Sequence, residues 1–274
     1  MTAGDVEVVR GSLNSRKAMA LDGTDDYMLA DAHVVARVAA GDTVGTYSAR
    51  IFVDAVATTQ TFLSAGDNDN ANEYFRFNIT AGGILETTLR HGGATQFDIK
   101  TAAGVIKAKT WYHVAVVQDG VQPILYVNGI AVDATNATST DLTAWYGVLT
   151  LCDKFALGVK ESNGTHSEDF NGMISDTKYW SLNLNAKQVL DDYKGNTAEP
   201  AVTAVLQSHW DFDEDYADAG LGADTGTPTG HAYLCGWGSE WSRQIELNAL
   251  VADHFENLSY DSAGIMTTLI LKAA

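Results

Sequence analysis

WYHVAVVQDGVQPILYVNGIAVDAT, residues 111–135, is the stretch whose reading decides the fold. YHVAVV has the composition of a strand with one buried face. Asp119-Gly120 then turns the chain, and ILYV resumes it. Asn128-Gly129 reverses it again before IAVDA, because these residues enter positive φ at little cost. The run therefore reads as a meander of three antiparallel strands. Trp111 and Tyr112 would anchor the first of them. Alternation would bury Val114 and Val116, or their neighbours, against an opposing sheet. His113, in mid-strand with no acid or nucleophile nearby in sequence, reads as a hydrogen-bonded framework residue rather than a catalyst.

Most other segments repeat this pattern of short strands and turn signals. AMALDGTDDYMLA (18–30) reads as strand, Gly/Asp turn, strand. TYSARIFVDA (46–55) alternates, with Tyr47, Ala49, Ile51 and Val53 on one face and Ser48, Arg50, Phe52 and Asp54 on the other. TFLSAG, an aromatic strand ending EYFRFNI, and ILETTLRH follow; FDIKTA and AGVIKA are weaker. FALGVKES and FNGMISDTKYWS flank the polar SNGTHSED. One helix is expected after that, capped by Asn185 with Gln188 three residues on, carrying Val189, Leu190 and Tyr193 on one face and ending at Gly195. Beyond Pro200, AVLQSHWDFDE reads as a further strand. RQIELNALVADHFENL (243–258) has helical spacing, and MTTLILKAA reads as a terminal strand. The absence of βαβ alternation makes this an all-β sandwich or jelly roll. The expected organisation is an N-terminal arm (1–17), a sandwich (18–198) and a mixed C-terminal segment (199–274) that serves assembly.

The 274 residues include 17 basic and 35 acidic side chains, a formal net charge of −18. That balance excludes nucleic-acid binding by phosphate neutralisation. No apolar run is long enough to span a membrane, and the N-terminal MTAGDVEVVRGSLNSRK lacks the apolar core of a secretion signal. Asn78, Asn136, Asn163 and Asn257 open glycosylation sequons, read as chance matches without such a signal. Cys152 and Cys235 form no CxxC motif; one disulfide and two buried thiols both remain open.

In order, AMALDGTDDYMLA, TYSARIFVDA, TFLSAG, the 111–135 stretch and FNGMISDTKYWSLNLNAKQVLDDY resemble the laminin-G-like, concanavalin A-like jelly-roll family over residues 18–195. The resemblance implies an antiparallel jelly-roll sandwich with a short helix after the last core strand. HWDFDEDYADAGLGADTGTPTG looks like a segment that usually leads into such domains, here placed after it; a strand added to the same sandwich is the favoured reading. Relatives that cleave glycans carry E-x-D-x-x-E on one strand. This chain has no such run, and Asp211, Asp213 and Asp215 read as loop acids, so catalysis is not expected. Other relatives bind calcium at a sandwich rim. The candidates here are Asp25 and Asp26, Asp67 and Asp69 in the loop Asp67-Asn68-Asp69-Asn70, and Asp169, although no cofactor is required. For sugar binding the candidates are Trp145 with Tyr146, and Trp237 with Trp241. Family members without a secretion signal are familiar in phage virions. With an initiator Met, an acidic surface and an apolar terminal strand, this suggests a capsid decoration or cement protein on the virion surface. Its partners would be capsid proteins and sister copies. The alternative is a carbohydrate-binding module for host attachment, and the third reading is a glycan-cleaving enzyme.

Overall fold

The computed structural model describes residues 17–196, 200–213 and 215–236, together with two strands at 255–260 and 266–271. In chain order come β1 (Lys17–Asp22), β2 (Tyr27–Leu29), α1 (Asp31–Ala40), β3 (Gly45–Val53), β4 (Gln60–Gly66) and β5 (Tyr74–Thr80). Then follow β6 (Ile84–His91), β7 (Ala94–Thr101), β8 (Trp111–Gln118), β9 (Pro123–Val127), β10 (Ile130–Ala131) and β11 (Ala134–Ser139). Next are β12 (Lys154–Leu157), β13 (Lys160–Ser162), β14 (Thr165–Ser167), β15 (Asn171–Trp180) and α2 (Ala186–Tyr193). Last come α3 (Pro200–Thr203), β16 (Leu206–Trp210), β17 (Thr227–Thr229), β18 (Tyr233–Gly236), β19 (Phe255–Tyr260) and β20 (Met266–Leu271).

Two large sheets are built from these strands. The first runs β10-β9-β8-β3-β15-β1-β18, with β16 also paired to β15; the second runs β11-β7-β6-β5-β4-β12-β2-β17. β3 pairs antiparallel with β8 and β15 in the first sheet, and β5 with β6 in the second, as a jelly roll requires. The described residues up to 234 form one compact unit and those beyond it another, which contains the β19–β20 hairpin.

The meander forms as its sequence dictates. Val127 and Leu125 of β9 face Val114 and Val116 of β8. Asn128 and Gly129 turn at φ 51° and 78°. The Asn128 side-chain oxygen accepts from His113 N at 3.0 Å, and Asn128 N donates to His113 O at 2.7 Å. Tyr47, Ala49, Ile51 and Val53 of β3 all enter the core between the sheets, beside Val114, Val116 and Ile174. From the second sheet, Phe75, Phe77, Ile79, Leu85, Leu89, Phe97 and Ile99 meet them.

α2 closes the outer face of the first sheet. Its Asn185 cap accepts from Gln188 N, and Gln188 reaches back to the cap backbone, a complete capping box. Ala115, Val117, Tyr126, Trp180, Leu184, Val189 and Val202 form a second apolar cluster beneath it. Beside that cluster lies a buried ionic knot. Asp192 accepts from Lys178 Nζ at 2.8 Å and Ser48 Oγ at 2.6 Å and meets His113 Nε2 at 2.9 Å. Asp176 takes Lys178 Nζ at 2.8 Å, His209 Nε2 at 2.8 Å and Arg50 Nε at 3.2 Å. The lysine ammonium beside them holds both carboxyls below the ordinary aspartate range against the opposing pull of burial.

Three stretches differ from expectation. AGVIKA (103–108), read as a weak strand, is turn and irregular chain between β7 and β8. α1, in DAHVVARVAA, has no counterpart in the sequence reading; it buries His33 and Val34 and stops at Gly41, φ 67°. Residues 255–260 form a strand paired with 266–271, not the end of a helix. The apolar spacing at Leu247, Leu250, Val251, Phe255 and Leu258 that suggested a helix also places Phe255 within a strand, where cross-strand pairing overrides a short periodicity. The expected helix before residue 255 lies outside the described residues.

Candidate functional site

The outer face of the second sheet is built almost wholly of polar side chains, because β5, β6 and β7 alternate strictly. Cross-strand register sets them in rows: Thr61, Asn78, Glu86, Lys100 and Thr135; then Ser64, Arg76, Thr88, Asp98 and Thr138; then Gly66, Tyr74, Arg90 and Thr95. The β13–β14 hairpin folds over one side of this face. Ser64 Oγ donates to Val159 O at 2.8 Å and accepts from Glu161 N at 3.0 Å. From the end of the hairpin Glu168 reaches the middle row, where Arg76 Nη1 donates to both its oxygens at 2.8 and 3.0 Å. Thr61 Oγ1 donates to the same carboxylate at 2.7 Å.

The floor between these groups is a continuous network. Arg76 Nε donates to Thr88 Oγ1 at 3.3 Å, and Asn78 Nδ2 to Glu86 Oε2 at 3.0 Å. Lys100 Nζ lies 3.1 Å from Asp98 and 3.7 Å from Glu86. Burial, reinforced by Asp98, pushes the Glu86 carboxyl above the ordinary range. Asn78 Oδ1 and Arg90 Nε are buried with no protein partner. Lys160 Nζ sits 4.8 Å from the centre of the Tyr74 ring.

At one rim, Asp25, Asp26 and His231 each bring one potential ligand atom within 4.8 Å of the others. Asp26 is buried and caps the turn: it accepts from Asp22 N at 3.0 Å and from His231 N. Gly230, at φ 71°, packs so close to Asp25 O and Asp26 Oδ1 that a Cβ there would stand 2.5 Å from each. Asp169 lies near enough that burial first, then the charges of Asp25 and Asp22, push its carboxyl up. Two oxygens and one imidazole nitrogen fall short of the six to eight oxygens calcium takes. Asp67 and Asp69 are not part of this cluster. Asp67 is buried and its Oδ1 accepts from Asp69 N at 2.8 Å, while Asp69 accepts from Asn68 Nδ2; both serve the turn.

Trp145 and Tyr146 are not the exposed pair that their polar surroundings suggested: they are 1% and 0% exposed. Trp145 Nε1 donates to Tyr179 OH at 3.2 Å, and Tyr146 OH accepts from Tyr47 OH at 2.7 Å, so burial leaves neither polar end unsatisfied. Trp237 and Trp241 lie outside the described residues.

The family model of the concanavalin A-like lectin/glucanases superfamily matches residues 22–190. The chain belongs to that superfamily. Among solved structures, the concanavalin A-like sandwich is similar to the CBM40 module of the Ruminococcus gnavus IT-sialidase, bound to alpha2,6 sialyllactose. Identity is 16%, coverage 64% of this chain and 96% of that one, and the TM-score 0.52. It is also similar to the heptameric SAP-like pentraxin of Limulus polyphemus, at 15% identity, 82% and 97% coverage and a TM-score of 0.53. No curated protein matches it. These likenesses establish the fold. No comparison bears on a virion role or on capsid partners. Among the described residues, no helix is long and apolar enough to cross a membrane.

For this concanavalin A-like chain, sequence reasoning missed the whole polar face. The signal was present: RFN, ETTLR and DIK place Arg76, Asn78, Glu86, Thr88, Arg90, Asp98 and Lys100 two apart in adjoining strands, with Phe77, Thr87, Leu89 and Ile99 between them. Aromatic side chains drew the search for a sugar site instead, and those described proved to be core.

Proposed function

We propose that this chain is a glycan-binding module whose binding surface is the outer face of the second sheet at β5, β6 and β7. The observation that carries this reading is the contrast between the two outer faces. The first sheet's is sealed by α2 and an apolar cluster, whereas the second's is polar: Tyr74, Arg76, Arg90, Asp98 and Lys100 are partly exposed above a buried polar floor of Thr61, Ser64, Asn78, Glu86 and Thr88. Such groups, held on rigid strands, match sugar hydroxyls, which donate and accept at once. Membership of a lectin and glucanase superfamily supports the reading. Binding is favoured over cleavage because Glu168 and Glu86 both lie against Arg76, which keeps them paired rather than free to serve as acid and nucleophile.

The test is an oligosaccharide array followed by calorimetry on the full chain, with Lys100→Ala and Arg76→Ala variants checked for folding by circular dichroism. Binding by the wild type, weakened roughly tenfold or more in folded variants, is expected for lost charge-assisted hydrogen bonds. A folded wild type that binds nothing on a broad array would overturn the reading.

A further inference from the structure

The cations of the polar face are not equally occupied. Arg76 is held by Glu168, and Lys100 by Asp98 and Glu86. Arg90, one row away, has no ion pair or side-chain hydrogen bond among the described residues, and its Nε is buried without a partner. In a chain with 35 acidic and 17 basic side chains, an arginine that finds no carboxylate is conspicuous. Its setting is specific. Directly across the strand pair stands Tyr74, and the Lys160 ammonium lies over that ring. Lys160 is itself only loosely held, 3.6 Å from Glu168. One cation thus lies over the ring and a second stands opposite it in register.

We propose that Tyr74, Arg90 and Lys160 form an anion subsite of the glycan surface, so that the preferred ligand is an acidic oligosaccharide. Its carboxylate or sulfate group would be taken by the Arg90 guanidinium and its sugar ring would lie along Tyr74. A guanidinium offers paired donors in a fixed fork that fit either oxyanion, and a half-buried site weakens the screening that would cancel the attraction in water. The inference rests on the glycan-binding reading of the same face.

The experiment compares lactose, sialyllactose and sulfated lactose by calorimetry on the full chain, at low and at physiological salt. At least one acidic sugar should bind roughly tenfold or more tightly than lactose, with the margin shrinking as salt rises. Sialyllactose against sulfated lactose tells carboxylate from sulfate. Arg90→Gln should bring the ratio of acidic-sugar to lactose affinity close to one, whatever it does to lactose affinity itself. Arg90→Lys, which keeps the charge but loses the fork, should restore part of the margin. Equal binding of all three sugars by the wild type, or an undiminished margin in Arg90→Gln, would overturn the subsite and leave the glycan face standing. Failure of the folded wild type to bind any of the three, or any sugar on the array, would remove the face and the subsite together.

Discussion

His33 Nε2 lies 2.7 Å from the Tyr47 hydroxyl, in the middle of the core, with Ser208 Oγ 2.8 Å from the other ring nitrogen. Phe155, Tyr179 and Trp210 surround the imidazole edge-on. An ionisable ring is thus kept neutral inside the sandwich by burial, with a hydroxyl at each nitrogen and the Asp224 carboxylate 3.8 Å from Nδ1. Burial first, then Arg37, lowers its pKa from 6.5 to about 3.

That shift makes stability depend on pH in a definite direction. The unfolded chain takes up a proton on His33 near pH 6.5, and the folded chain does not until about pH 3. Stability should therefore be complete above pH 6.5 and fall as pH drops towards 3, by at most ~1.4 kcal/mol per pH unit from this group. The depressed carboxyls of Asp176 and Asp192 add their loss below the ordinary aspartate value of 3.8, while the raised carboxyls of Glu86, Glu161, Asp169 and Asp224 act in the opposite direction above it, so the histidine is read from the difference between wild type and variant. Urea midpoints at pH 7, 5.5 and 4.5 should show this slope in the wild type and a shallower one in His33→Gln. Parallel slopes would contradict the assignment.

Asp192 should be among the most sensitive positions under α2. Asp192→Ala leaves Lys178 buried with Asp176 alone, which breaks a buried ion pair and should cost about 3–5 kcal/mol. Pairing it with Lys178→Met removes the orphaned ammonium, so the double variant should be more stable than Asp192→Ala. Denaturant titrations of the two variants decide it.

The cap of α2 is a smaller lever. Asn185→Ala loses the bond to Gln188 N and should lower stability by about 1 kcal/mol. Gln188→Ala, which removes only the reciprocal bond, should cost less. Equilibrium unfolding monitored by circular dichroism resolves the difference.

Trp145 separates packing from binding. As a fully buried indole it should cost about 3–5 kcal/mol when replaced by alanine. Glycan affinity, measured where the variant is still folded, should be unchanged. Loss of affinity without loss of stability would return Trp145 to the binding surface.

The strand order of β8, β9 and β10 was legible because Asn128-Gly129 and the Val114/Val116 alternation are local signals read at a period of two. The capping box at Asn185 was legible for the same reason: both partners lie within three residues. α1 was not, although Asp31, the Val34 and Val38 spacing and Gly41 mark its start, face and stop. Lying between two strands, it was absorbed into their pattern. Trp145 and Tyr146 misled because flanking Thr and Asp suggested a surface loop, while Ala144, Val148 and Leu149 beside them pointed inward. The polar face could not be recognised from any one strand. It exists only once register sets Arg76 beside Thr88 and Asp98, and register is long-range information.

The segment beyond the family match supplies a strand to each layer: β16 pairs with β15 of the first sheet and β17 with β2 of the second. Trp210 of β16 stacks on Phe155 and belongs to the central core, and Gly226, just before β17, fits against Met28. The span that defines the superfamily is therefore not a transferable cassette in this protein. Excised at residue 190 and grafted elsewhere, it would leave part of its own interior behind, so the module can be inherited or exchanged intact only together with the chain that follows it.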